Sequence, residues 1–377
     1  MKEKIRISLL ACTAIVATQV HAQNTVTLYG IVDTGLMYVH NSGGKSTQIA
    51  LTSGNESGSR FGLKGAEDLG GGLKAVFQLE NGFNSTNGAA AQGGRMFGRQ
   101  AFVGLSGATW GTLTTGRQYD PLVDFVQPVQ GDNYLGGFFT SPGDIDNADN
   151  SIRINNSVKW ASPNWGGLQL SAIYSFGGIA GAVGSGQTYA GAATYSAGSF
   201  TVAAGYQRID NGNATVSTRG TTSADSLFNS SVNKAYSSAR SIDITRAGGN
   251  YVIGAVTIGG YYSFSQYNAD ASSTFTKSEK YNNGEIYAVW QVLPTLSTQI
   301  GYDYMKSSGD SSAKQHQFAL AADYSISKRT DVYGVLAYAH ATGQNGTGAA
   351  QAVIGSTDID SGSNNQALAL VGIRHRF

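Results

Sequence analysis

Cysteine is all but missing: the 377 residues hold one, Cys12. Beyond it, a disulfide framework, a cysteine zinc site and a thiol nucleophile are excluded. Charge is scarce as well. Asp, Glu, Lys and Arg make up 13% of the chain, with a formal net charge of +1. That is about half the usual share, and it offers no basic field to attract nucleic acid. Past residue 22 no run of 18 apolar residues occurs, so no transmembrane helix is expected. Catalytic signatures are absent too: neither G-x-S-x-G nor H-E-x-x-H is found. Gly44-Lys45-Ser46 imitates the end of a P-loop, but Val39 stands where its first glycine belongs. The histidines at 40, 316, 340 and 375 are far apart and read as solvated rim groups. No cofactor or metal is expected.

What is present begins with a leader. Lys2, Lys4 and Arg6 precede a mostly apolar stretch, Ile7 to Val20, and Val20-His21-Ala22 precedes Gln23. This reads as a secretory signal peptide over 1–22, leaving residues 23–377 as one domain. Loss of the leader takes Cys12 away and moves the formal charge from +1 to −1. The rest alternates at period 2. Leu168, Leu170, Ala172, Tyr174 and Phe176 share one face. Phe318, Leu320, Ala322 and Tyr324 oppose Gln317, Ala319, Ala321, Asp323 and Ser325. Leu296, Ile300, Tyr302 and Tyr304 oppose Ser297, Gln299, Gly301 and Asp303. This is strand patterning with one greasy face and one wet face.

Connections alternate in length. Tight turns fall near 68–71, 107–109, 163–166, 197–198, 253–254, 293–294 and 327–329. Long polar loops fall near 41–56, 82–94, 119–150, 177–187, 209–240, 269–280, 306–313 and 341–363. The count gives sixteen strands, the last (about 364–377) pairing with the first (about 25–40). A soluble sandwich would hide its apolar face inside. A transmembrane antiparallel β-barrel turns that face to lipid, and three features favour it. Strand lengths suit a tilted bilayer crossing, turns and loops alternate strictly, and aromatic residues crowd strand ends. Those aromatics are Tyr29, Tyr38, Trp110, Trp160, Trp165, Tyr261, Tyr262, Tyr302 and Tyr304. Gly, at 51 residues, suits close backbone approach and curvature on such strands.

Several segments resemble one family in its own order. Val26-Thr27-Leu28-Tyr29-Gly30 resembles its first strand, and Ser59-Arg60-Phe61-Gly62-Leu63-Lys64-Gly65-Ala66-Glu67-Asp68-Leu69-Gly70 its second strand and turn. Gly98-Arg99-Gln100-Ala101-Phe102-Val103-Gly104-Leu105 resembles the fourth strand and Gly111 to Arg117 the fifth. Ser327-Lys328-Arg329-Thr330 resembles a late turn, and Val371 to Phe377 the last strand. The family is the trimeric general-diffusion porins of Gram-negative outer membranes, in their neisserial and betaproteobacterial branch. The resemblance implies a sixteen-stranded barrel in the outer membrane, with short periplasmic turns, long extracellular loops and a third loop folded into the lumen. It implies a homotrimer in outer-membrane lipid that passes small hydrophilic solutes and ions. It also makes the terminal Phe377 a signal for the barrel-assembly machinery.

Alternation points Arg60, Lys64 and Lys74 inward, while for Arg99 it is ambiguous, because Phe102 and Val103 cannot both face lipid. The resemblance places Arg60, Arg99 and Arg153 on a basic wall at the constriction, with Arg117 a weaker member. Opposite stands the third loop with Asp120, Asp124, Asp132, Asp144, Asp146 and Asp149. The family's usual Pro-Glu-Phe-Gly-Gly tip is missing there, and Tyr134-Leu135-Gly136-Gly137-Phe138 is the candidate replacement. Modest anion preference is the expectation. The alternative is a barrel that serves mainly as an adhesin through its long loops.

Overall fold

The computed structural model describes residues 25–212 and 226–377. The expected leader over 1–22 and part of the long loop near 209–240 lie outside the described residues. Seventeen β-segments run in chain order: β1 (Thr25–Ser42), β2 (Lys45–Ser53), β3 (Arg60–Gly70), β4 (Leu73–Gly82), β5 (Gln100–Gly107), β6 (Gly111–Gln118), β7 (Ile154–Ala161), β8 (Leu168–Ser175), β9 (Thr188–Ala197), β10 (Phe200–Asp210), β11 (Ser241–Ile253), β12 (Val256–Asn268), β13 (Glu279–Leu293), β14 (Leu296–Ser308), β15 (Lys314–Ser325), β16 (Thr330–Thr342) and β17 (Asn365–Arg376).

They form sixteen staves of one antiparallel sheet. β2 and β3 share a stave, since β2 pairs with the upper part of β1 and β3 with its lower part, from Thr25–Ala66 to Ile31–Arg60. The sheet closes where β1 meets β17, from Ile31–Arg376 to His40–Ala367. Closure matters because unpaired backbone groups in hydrocarbon each cost several kcal/mol, so only a closed sheet can span.

All seven tight turns lie where the sequence places them. The first long loop does not. Its first part, residues 41–53, belongs instead to a hairpin turning at Gly43-Gly44, with φ of +58° and +75°. Two glycines supply the positive φ that a two-residue hairpin requires, so a polar stretch that reads as a loop becomes strand.

The alternation holds on the outer face: Phe318, Leu320 and Tyr324 are exposed, while Gln317, Ala319, Ala321 and Asp323 are buried. Two aromatics assigned to the rim girdles face inward instead. Tyr29 donates its hydroxyl to Glu80 at 2.9 Å, and Tyr261 is buried beneath the Asn283 amide.

Inside, the far wall is not uniformly polar. Ala319, Ala321, Val335, Ala337, Ala339, Leu368 and Leu370 form a dry surface against which Leu135, Phe138 and Phe139 of the third long loop and Ile354 of the last loop pack. Gly301 leaves room for the Phe139 ring, since a Cβ there would lie 2.6 Å from it. Polar inward groups hold the loop's backbone. Gln299 donates to the Gly131 carbonyl at 2.8 Å, Gln317 to that of Phe138 at 2.8 Å, and the Tyr287 hydroxyl to that of Val129 at 2.9 Å. Buried carbonyls thereby gain the partners that water would otherwise supply.

Candidate functional site

Three arginines stand at one level of the wall, each at the first residue of a strand or just before it: Arg60 opens β3, Arg99 precedes β5 and Arg153 precedes β7. All three strands run toward the short-turn rim, so their first residues share a height. Arg99 resists reading by alternation because it lies one residue outside its strand, where period 2 no longer applies. Phe102 is therefore free to line the lumen while Val103 points outward, and both are as the register with β4 requires.

The three differ in their partners. Arg99 donates from Nε to Glu80 at 2.7 Å and from Nη2 to the Tyr119 hydroxyl at 2.7 Å. Arg153 lies over the Tyr119 ring, 5.5 Å from its centroid, a cation–π contact. The Arg60 guanidinium shares the field of Glu80, which is bonded to Arg99. All three line a cavity of about 600 Å³ together with Glu56, Asp124, Asp132 and Asp149.

The other basic candidates are not brought to this ring. Lys64 lies below it, 5.2 Å from the Tyr29 ring, in a vestibule shared with Lys159. Lys74 pairs in register with Asp68 beside the Gly71-Gly72 turn, at the short-turn rim. Arg117 does not line the cavity. A register shift after Gly116 turns it aside, and it donates to the Gly98 carbonyl at 2.8 Å and to Asn155 at 2.6 Å.

The loop's acids divide likewise. Asp120 caps the short helix Pro121–Phe125, accepting from the Leu122 and Val123 amides, and also accepts from Asn147. Asp144 accepts from the Asp149 and Ser151 amides. Asp146 accepts from the Ser141 hydroxyl and the Ala148 amide. Short acidic side chains favour such local bonds, which tie the loop's own turns. Asp124, Asp132 and Asp149 remain facing the cavity. Asp124 forms an ion pair with Lys159 at 2.6 Å, Asp132 accepts from Gln127 at 2.6 Å, and Asp149 is bonded to Ser356 of the last loop. Gly136, from the substitute tip, reaches the backbone of Asn55 and Glu56.

Sequence reading missed Glu80, Glu56 and Lys159. Glu80 and Lys159 were legible from parity, as inward charges on β4 and β7. Glu56 is not, because the polar composition of its segment reads as a loop.

A closed barrel with an inward loop facing a ring of arginines invites comparison with known proteins. The sequence profile of the Gram-negative porins matches residues 8–344. The chain belongs to that family. Outer membrane porin protein 32 of Delftia acidovorans is 29% identical to this porin over 98% of the chain and 99% of its own length. An outer membrane porin protein of Bordetella pertussis is 41% identical over a shorter stretch, 41% of this chain and 43% of its own. Among solved structures, the anion-selective porin from Comamonas acidovorans superposes with a TM-score of 0.72 at 25% identity, covering 94% of this porin and all of that chain. The porin is thus an outer-membrane β-barrel, and its relatives are named as channel proteins rather than enzymes.

Proposed function

We propose that this porin is a water-filled channel for passive diffusion of small hydrophilic solutes and ions, with modest anion preference set at the Arg60–Arg99–Arg153 ring. The observation that carries the reading is the unequal pairing of charge across the cavity. The Arg60 side chain feels Glu80 only at a distance, since Glu80 is bonded to Arg99, and Arg153 is met by an aromatic face. On the opposite side burial pushes the Asp132 and Asp149 carboxyls above the ordinary range, Asp132 further through its neighbour Asp149. Burial, then Asp149 and Asp146, pushes Asp144 up to about 8. With Asp144 protonated at neutral pH the loop presents less negative charge than its composition suggests, while the guanidiniums stay charged. That the Comamonas relative is described as anion-selective agrees with this sign.

The test is a planar-bilayer measurement across a salt gradient, in which stepwise channels with an anion-signed reversal potential are expected. A barrel that inserts without conducting overturns the reading. The pH dependence follows with a definite sign. As pH rises through about 8 the Asp144 carboxyl ionises, the loop gains negative charge, and anion preference falls. A reversal potential that is flat from acid to alkaline pH removes the buried carboxyls from the account.

Family membership supports a homotrimer with its loops outside and both termini on the periplasmic side. A closed barrel has no free sheet edge, so its copies associate side to side. The trimer is expected to resist SDS until heated. In the same preparation the mature chain is expected to begin at Gln23, read by N-terminal sequencing. A start far from Gln23 refutes cleavage after Ala22, and a monomer-sized particle in mild detergent refutes the trimer.

A further inference from the structure

The second stave is interrupted at residues 54–59, Gly-Asn-Glu-Ser-Gly-Ser, and this segment leaves the wall for the lumen. We propose that it is a second constriction element, held in place by Glu56 and Arg374, and that Glu56 is a positioning residue for permeation. The proposal rests on the channel reading above and adds that the third loop does not set the aperture alone.

The segment departs from β2 at Gly54, whose φ of +74° suits glycine. Its amides are then collected by one buried carboxylate. Asp33 Oδ2 accepts from the Glu56 N–H at 3.0 Å and from the Ser57 N–H at 2.8 Å, while the Ser59 hydroxyl donates to the Asp33 carbonyl at 3.0 Å. On the far side of β1, the Tyr333 hydroxyl donates to Asp33 Oδ1, and Asn55 donates to the Tyr333 oxygen at 3.1 Å.

The side chain of Glu56 is fully buried and crosses to the last strands. There Glu56, Asp323 and Asp331 bring their oxygens within 4.8 Å of one another. The guanidinium of Arg374 sits among these three carboxyl groups. It meets Glu56 at 3.0 Å, Asp323 at 2.9 Å and Asp331 at 3.0 Å, and donates to the Ser57 hydroxyl at 2.8 Å. A forked, planar donor satisfies several carboxylates at once, which a compact ammonium cannot do. Arg376 adds a second bond to Asp331.

The held segment touches both sides of the aperture. A Cβ on Gly58 would lie 2.9 Å from Arg99 Nη1, and a Cβ on Gly136 of the third loop would lie 2.7 Å from the Asn55 carbonyl oxygen. Residues 54–58 also line the cavity that holds the arginine ring. The segment is therefore wedged between the basic wall and the loop tip. Glu56 is its one acidic side chain that reaches the Arg374 cluster.

Glu56→Ala removes the tether and leaves the arginine ring and the third loop chemically intact. Glu56→Gln keeps the volume and removes the carboxyl group. Both would be reconstituted as assembled trimers, with heat-modifiable migration on SDS gels as the folding control. Expected for Glu56→Ala is single-channel conductance raised about twofold and passage of larger sugars in liposome swelling. Glu56→Gln is expected to show the same changes in smaller degree, with noisier open levels. If Glu56→Ala does not assemble, Glu56→Gln alone decides, by the same two readouts. Assembled variants with wild-type conductance and wild-type sugar cut-off overturn the latch, whatever their stability. A silent wild type would instead overturn the channel reading, so the two failures are distinguishable.

Discussion

Replacing Arg60 and Arg153 together by Gln is expected to lower the anion-to-cation permeability ratio about fivefold, from a simple electrostatic argument. A unit charge about 7 Å from a permeating ion in water is worth ~0.6 kcal/mol, and a Debye length of about 8 Å reduces this to ~0.25 kcal/mol. Two lost charges act with opposite sign on anion and cation, so the ratio changes by about 1 kcal/mol in total. Arg60 is included because Glu80, its nearest acidic neighbour, is bonded to Arg99 instead. Arg99 is left in place because its removal would strand Glu80, a buried carboxylate whose ion pair it supplies. The reversal potential in a salt gradient reads the change directly. A double variant with the wild-type potential would move selectivity away from the arginine ring, to Lys64 and Lys159 in the vestibule.

Removal of Phe377 is expected to cut the yield of assembled barrel severely. Gly30 and Phe377 exchange backbone bonds at 3.1 and 3.0 Å, and these are the last rungs of the seam between β1 and β17. The phenyl ring lies over Gly30, where a Cβ would come within 2.2 Å of it. Two bonds at about 0.5–1.5 kcal/mol each are lost, together with the ring contact, at the line where the cylinder is sealed. A signal read by the assembly machinery would be lost with the same residue, and a second variant separates the two. Gly30→Val displaces the ring but leaves the C-terminus intact, so failure of both variants points to the seam. Failure of the truncation alone points to recognition of the end. Heat-modifiable trimer in outer-membrane fractions measures both. Normal yield from the truncated chain refutes either role.

Alternation along the chain is enough to give the barrel. Period-2 alternation assigns each strand's faces, as in Phe318 to Asp323, because neighbouring side chains on a strand must point oppositely. Seven turns and the closing partnership of first and last strands followed from the same pattern, since a chain with an apolar outer face and no helix must close its hydrogen bonds in a ring. Inward charges such as Arg60 and Lys64 were legible for that reason. What alternation does not carry is height along the axis or behaviour where a strand stops. Lys64 and Lys74 share the inward parity of Arg60 yet stand below the ring, because parity says which face a residue takes and not how far along its strand it lies. Arg99 and Arg153 lie just outside strands, and only the folded register brings them level with Arg60. The aspartates of the third loop were equal in composition and unequal in space. Asp120, Asp144 and Asp146 bend back to bond the loop's own amides, whereas Asp132 and Asp149 face the arginines. The inward turn at 54–59 was decided wholly by tertiary contacts. Its polar residues find an Asp33 carboxylate and an Arg374 guanidinium that are distant in sequence, and only closure of the barrel sets the first strand beside the last.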